Sequence, residues 1–220
     1  MSSVKLIGTL ICVMLISACT PQNVRTTQYN VEPTTAEKEL ALEIKDALWV
    51  DRYLTLSHQD SYSFDGRLSV RQGGKYLMAR MDAVVKGDNI VIDLKGPLSL
   101  GRVRLIINEP KKIYSLLTSK GLYQASSLEE LSRSAFKIVP PIQQLMFWLR
   151  GIPQNSAVKQ MSINKKGEVI SFLEQGFAVS LKDYKLNYNF EGIELSMPRK
   201  IRVENESVTV KLVVDHFFPQ

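Results

Sequence analysis

Phe64-Asp65-Gly66-Arg67-Leu68-Ser69-Val70-Arg71 alternates apolar with polar residues, and this period of two decides the fold. Successive side chains of a strand point to opposite faces, so Phe64, Leu68 and Val70 share one face and Arg67, Ser69 and Arg71 the other. The pattern repeats outward. After a Gly73-Gly74 turn, Leu77, Ala79, Met81, Ala83 and Val85 form the next apolar set. Beyond Lys86-Gly87-Asp88 come Ile90, Ile92 and Leu94, and beyond the Gly96–Gly101 segment come Val103, Leu105 and Ile107. Short regular runs joined by glycine turns predict an antiparallel meander with one apolar face. Further strands are expected at Lys112–Leu117, Leu122–Ala125, Val158–Asn164, Glu168–Glu174, Phe177–Lys182, Lys185–Phe190, Met197–Val203 and Ser207–Val214.

Helices flank and interrupt these strands. From Thr34 to about Ser57 the period becomes helical, opened by the capping-box pattern Thr34-x-x-Glu37. Leu40, Ile44, Ala47, Leu48 and Tyr53 or Leu54 are expected on its buried face. Ser127-x-x-Glu130 opens a second, short helix carrying Leu128 and Leu131. Pro140-Pro141 starts a third over Ile142–Arg150, with Ile142, Leu145, Met146 and Leu149 on its apolar side and Gly151 as its stop. The fold class is mainly β (α+β): one large, strongly curved antiparallel sheet over residues 34–220, with a few helices covering its apolar concave side.

The chain begins differently. A weakly positive Met1–Lys5 precedes the apolar run Leu6–Ile16, which is too short to span a bilayer. Ile16-Ser17-Ala18-Cys19 has the form of a lipobox, so residues 1–18 read as an export signal and Cys19 as the lipid-bearing N-terminus. Removing those 18 of 220 residues leaves 202, with Cys19 the only cysteine. That excludes a disulfide framework and a Cys-rich metal site. Residues 19–33 are polar and aperiodic and read as a flexible tether.

Catalytic constellations are not found. His58 and His216 are the two histidines, far apart and without metal-ligand spacing, and His216 among Val214, Phe217 and Phe218 reads as structural. Gly73-Gly74-Lys75 lacks the ending of a phosphate loop. Acidic residues fall singly on polar strand faces, so no carboxylate pair can be nominated. The formal charge of +6 becomes +5 without Lys5. It is spread along the chain without interleaved aromatics, which fits anionic lipid or an acidic partner better than nucleic acid.

Lys95-Gly-Pro-Leu98-Ser-Leu100-Gly101 is unusual, because two leucines occupy a hairpin connection where polar residues are the rule. Two readings are open: Leu98 and Leu100 fold back onto the sheet, or they form an exposed apolar tip that enters a membrane.

Three segments, in order, resemble one family. Gly66-Arg67-Leu68-Ser69-Val70, then Gly96-Pro97-Leu98, then Trp148-Leu149-Arg150-Gly151-Ile152-Pro153, preceded by a lipobox, resemble the outer-membrane lipoprotein receptors of the lipoprotein-localisation pathway, the LolB family. The resemblance covers about Ser61 to Phe217. The loop is longer than the family's Pro-Leu-Gly. Phe177 stands where the family tends to carry tryptophan, and His216-Phe217 replaces a terminal tryptophan region.

The resemblance implies an incomplete antiparallel β-barrel with helices plugging its mouth. It implies a non-enzymatic, cofactor-free monomer, lipid-anchored at the outer membrane and facing the periplasm. Thr20 after Cys19, in place of aspartate, matches the enteric rule for outer-membrane sorting. Its partners would be a soluble carrier of the LolA type, lipoprotein acyl chains and outer-membrane phospholipid. Exposing a three-chain anchor to water would cost on the order of tens of kcal/mol at about 0.8 kcal/mol per methylene. A dry concave face removes that cost without ATP. The expected acyl-chain lining is Phe64, Leu68, Val70, Leu77, Ala79, Met81, Ile90, Ile92, Leu94, Val103, Leu105 and Ile107, closed by Leu145, Met146, Trp148 and Leu149. Membrane release would fall on Leu98, with Leu100 a possible substitute. Two other classes stand beside this: an envelope-assembly protein whose β core is simply filled, and a lipid-processing enzyme, disfavoured because no nucleophile–base pair can be named.

Overall fold

The computed structural model describes residues 35–96, 101–136, 140–155, 158–190 and 192–220. Cys19, the signal and tether segments, the Thr34 cap, Leu98 and Leu100 lie outside them. Thr35–Gln220 form one compact unit.

Its frame is a single eleven-stranded sheet. The strands are β1 (Ser61–Gln72), β2 (Lys75–Lys86), β3 (Asn89–Lys95), β4 (Arg102–Asn108), β5 (Ile113–Thr118), β6 (Gly121–Ala125), β7 (Lys159–Ile163), β8 (Val169–Glu174), β9 (Phe177–Phe190), β10 (Ile193–Glu204) and β11 (Val208–Pro219). Their order is β6-β5-β4-β3-β2-β1-β11-β10-β9-β8-β7, and every pairing is antiparallel. The first and last strands therefore pair at the centre, and β6 and β7, consecutive in the chain, form opposite edges. The sheet is open: an incomplete barrel. The connection from β6 to β7 must cross its whole width, and it does so as α2 (Leu128–Phe136) and α3 (Ile142–Trp148). Leu131, Leu145, Met146, Trp148 and Leu149 are buried along that crossing.

The expected alternation is present. Phe64, Ala83, Ile92, Leu105 and Leu116 lie in register across β1 to β5, and all are buried. Gly66 sits at the bulge where β1 meets β11, and a Cβ there would lie 2.4 Å from the Val213 carbonyl oxygen. The two runs expected on either side of Asp183 are one strand. Asp183 takes a positive φ of 64°, and the register with β10 shifts between Met197 and Pro198. Proline has no ladder N–H to give, so a bulge is where β10 can hold it. At α2, Ser127 Oγ accepts from the Glu130 N–H at 3.2 Å, while the Glu130 carboxylate reaches back to Ser126 and not to Ser127.

Helix α1 (Thr35–Ser57) presents a different face from the one expected. Trp49, Arg52 and Leu56 are buried, whereas Ala47, Leu48 and Leu54 are exposed; the side chains of Leu40 and Ile44 lie outside the described ones. The helix rests on the turn before β8, where a Cβ on Gly167 would come within 2.7 Å of the Leu48 carbonyl carbon. That close approach fixes the rotation of α1 and turns Arg52 inward. Among the described residues no helix is long and apolar enough to cross a membrane.

Candidate functional site

Of the sixteen positions expected to line an apolar cavity, fifteen are buried, from 0 % exposure at Val70, Ile107 and Trp148 to 8 % at Ala79 and Leu94. Ile90 is half-buried. The structure therefore brings the whole set to one face, and it shows that face covered. Within the set, Leu68, Leu77, Ala79, Leu94 and Val103, at 5–8 %, are the least sealed. They cluster toward the β1–β2 hairpin and the base of the β3–β4 loop, where Gly96 N–H donates to Gly101 O at 3.1 Å.

The crossing is held down at the Trp148–Pro153 segment, where Trp148, Arg150 and Gly151 each make specific contacts. Trp148 is fully buried and packs edge-on against Phe172 and Phe177, with centroids 6.3 and 5.8 Å apart. Its indole N–H donates to Glu174 Oε2 at 2.6 Å. The Glu174 carboxylate also accepts the backbone N–H groups of Gln154 and Asn155, at 3.2 and 2.8 Å. Gly151 has φ +79°, and its N–H closes on Trp148 O at 3.0 Å, which ends the helix as expected.

Arg150 is 4 % exposed and faces inward. Its Nη1 donates to Leu56 O at 2.6 Å and to Gln59 O at 2.7 Å, and its Nε to Met146 O at 3.2 Å. The guanidinium thus caps the carbonyl ends of α1 and α3 together. It lies over the Phe147 and Tyr62 rings, 4.9 and 5.4 Å from their centroids. Tyr62 in turn donates to Met146 O at 2.9 Å, and burial pushes its hydroxyl up to about 12, with the nearby Arg150 charge opposing. A cleft of about 640 Å³ opens beside this latch, with Tyr62, Val85, Ile90, Met146, Phe147 and Arg150 on its walls. Ile90, the half-buried member of the expected set, faces this cleft.

A second polar core sits under α1. Arg52 donates to Ser196 O and lies over the Tyr184 ring at 5.3 Å, while Tyr184 donates to Val169 O at 2.7 Å. Burial lowers the affinity of Arg52 for its proton and raises that of Tyr184. Neither Arg52, Arg150 nor Glu174 was legible as a site residue: each is one charge in a strand or helix pattern, and each acquires meaning only from carbonyls or donors distant in sequence. His216 is exposed and contacts Asp65 at 3.0 Å on the convex side, away from the apolar face. Among the described residues no group of three or more His, Cys, Asp or Glu side chains is placed to hold a metal ion.

The family described as outer membrane lipoprotein LolB matches residues 60–217. An outer-membrane lipoprotein LolB of Coxiella burnetii is 28 % identical over 169 residues, covering 77 % of each chain. The one from Cellvibrio japonicus is 26 % identical over 155 residues, covering 70 % of this chain and 75 % of that one. Among solved structures, a LolA superfamily protein of Nitrosomonas europaea aligns over 82 % of this chain and 93 % of its own, with a TM-score of 0.48 and 10 % identity.

Proposed function

The chain belongs to the LolB family of outer-membrane lipoproteins, and from that premise we propose that it is the receptor that accepts lipoproteins from a soluble periplasmic carrier. It then releases them into the inner leaflet of the outer membrane. Cys19 carries the lipid anchor. The observation that carries this reading is the continuous apolar face, covered by a crossing segment rather than packed against a second sheet. Such a cover can move aside as a unit. Acyl chains would enter at the cleft beside Arg150 and replace the α3 side chains against the sheet. Each methylene leaves one dry surface for another, so transfer needs no ATP and runs toward whichever site holds the chains more tightly.

A labelled lipoprotein presented on its carrier to the Cys19→Ala protein tests this. The label should pass to the receptor in the absence of nucleotide, and no transfer would reject the reading. The tight burial of the concave side chains favours one competitor, an envelope-assembly protein with a permanently filled core. The two differ in a lipid-probe assay: a receptor takes up a fluorescent fatty acid and releases it to acylated cargo, whereas a filled core takes up none.

A further inference from the structure

Six cations stand in one line across the convex face. Register sets Lys182 opposite Lys200, Lys200 opposite Val213 and Val213 opposite Arg67. The line continues with Arg67 opposite Arg80, Arg80 opposite Lys95 and Lys95 opposite Arg102. All six charged side chains are exposed, and the line spans the seven strands β9-β10-β11-β1-β2-β3-β4. At about 4.8 Å per strand that is roughly 30 Å of sheet.

Like charges directly opposite one another destabilise strand pairs, so folding alone does not call for such a line. Acidic side chains compensate it on one flank. Asp183 meets Lys200 at 3.2 Å, Asp215 meets Arg67 at 2.9 Å, Asp82 meets Lys95 at 2.7 Å and Asp93 meets Arg102 at 3.6 Å. Arg80 and Lys182 have no ion pair among the described residues. The other flank, toward the β1–β2 hairpin, stays net positive: Arg71, Lys75, Arg202 and Lys211 are exposed there, and Glu204 pairs with Arg202 at 2.6 Å. Tyr76 and Met78 stand among these cations, 62 % and 53 % exposed. The line therefore has an acidic side and a basic, partly apolar side, and Lys95 and Arg102 flank the β3–β4 loop.

We propose that this basic flank docks on a bilayer surface bearing anionic phospholipid headgroups. Clustered Lys and Arg are drawn to a negatively charged membrane surface, and an exposed tyrosine suits the headgroup level. The row follows the arc of the sheet for roughly 30 Å, and with Tyr76 and Met78 protruding beside it, it suits the many mobile headgroups of an extended surface better than the compact patch of an acidic protein. The inference takes its membrane setting from the receptor reading, but vesicle binding itself is measured without carrier or cargo.

The test is sedimentation of the chain from residue 19 onward, carrying Cys19→Ala and containing the whole compact unit Thr35–Gln220, with two kinds of vesicle. One is phosphatidylcholine alone; the other contains phosphatidylglycerol. Binding should need the anionic lipid and weaken steeply with salt. Arg80→Gln with Lys182→Gln should lower it about tenfold, and adding Arg71→Gln and Lys211→Gln should abolish it, with thermal midpoints unchanged or raised. Lys111→Gln with Lys112→Gln, outside the row, should leave it intact. Equal binding to both vesicles, or loss only with the Lys111 and Lys112 pair, would overturn the proposal. So would an acidic carrier protein competing for these cations while anionic vesicles do not. Acceptance of lipoprotein by the four-residue variant, measured without vesicles, reports separately on the receptor reading.

Discussion

Trp148 and Glu174 are 26 positions apart, and the 2.6 Å bond between them ties the crossing segment to β8. Because the same carboxylate also accepts two backbone N–H groups at its part-buried side, Glu174→Ala strands the buried Trp148 indole N–H and removes the acceptor of Gln154 and Asn155. It should cost about 3 kcal/mol, read as a lower urea midpoint, whereas Glu174→Gln keeps acceptor capacity and should lose less. Tyr62 gives a pH signature. Its hydroxyl holds its proton up to about 12 in the fold and up to about 10 in the unfolded chain. The folded state therefore binds that proton more tightly. The resulting stability is complete below pH about 10 and is lost as pH rises through the folded value, at no more than about 1.4 kcal/mol per pH unit. Tyr62→Phe should be less stable at neutral pH, having lost its bond to Met146 O, and flatter in the alkaline limb of a thermal-midpoint profile.

At the scale of elements, the β-strands were legible because burial on one face leaves a period of two in the chain itself. The helix phase was not. In α1, apolar residues occur on more than one side, and Arg52 lies on the buried one because Ser196 O and the Tyr184 ring, more than 130 positions on, receive it. Hydrophobic periodicity has no means of registering a buried arginine. The split expected at Asp183 was a real irregularity, a bulge rather than a break. Gly66 can be tested as part of the β1–β11 seam. Gly66→Ala sets a methyl against the Val213 carbonyl and should destabilise by about 2 kcal/mol or more, with hydrogen exchange accelerating first along β1 and β11.

For the whole molecule, the apolar face and the helix residues over it were legible, and the hidden part was what fastens that cover, since Arg150 and Glu174 act through contacts that no local pattern encodes. The two-leucine loop makes a prediction at this scale. Its described base is a hydrogen bond from Gly96 N–H to Gly101 O, and on the membrane-tip reading the sheet does not depend on the leucines beyond it. Leu98→Glu with Leu100→Glu should leave the melting temperature and acceptance from the carrier unchanged and stall delivery to vesicles. Normal delivery by this variant would remove the loop from the mechanism. The central pairing of β1 with β11 has a consequence for biogenesis. Those strands lie about 140 positions apart, so the two wings of the sheet can form early while the seam joining them waits for the last strand. A nascent chain crossing the envelope has no continuous apolar trough until that strand arrives. On the receptor reading proposed above, an unfinished chain therefore offers stray lipid no complete face to settle on, and lipid uptake begins once β11 has closed the seam.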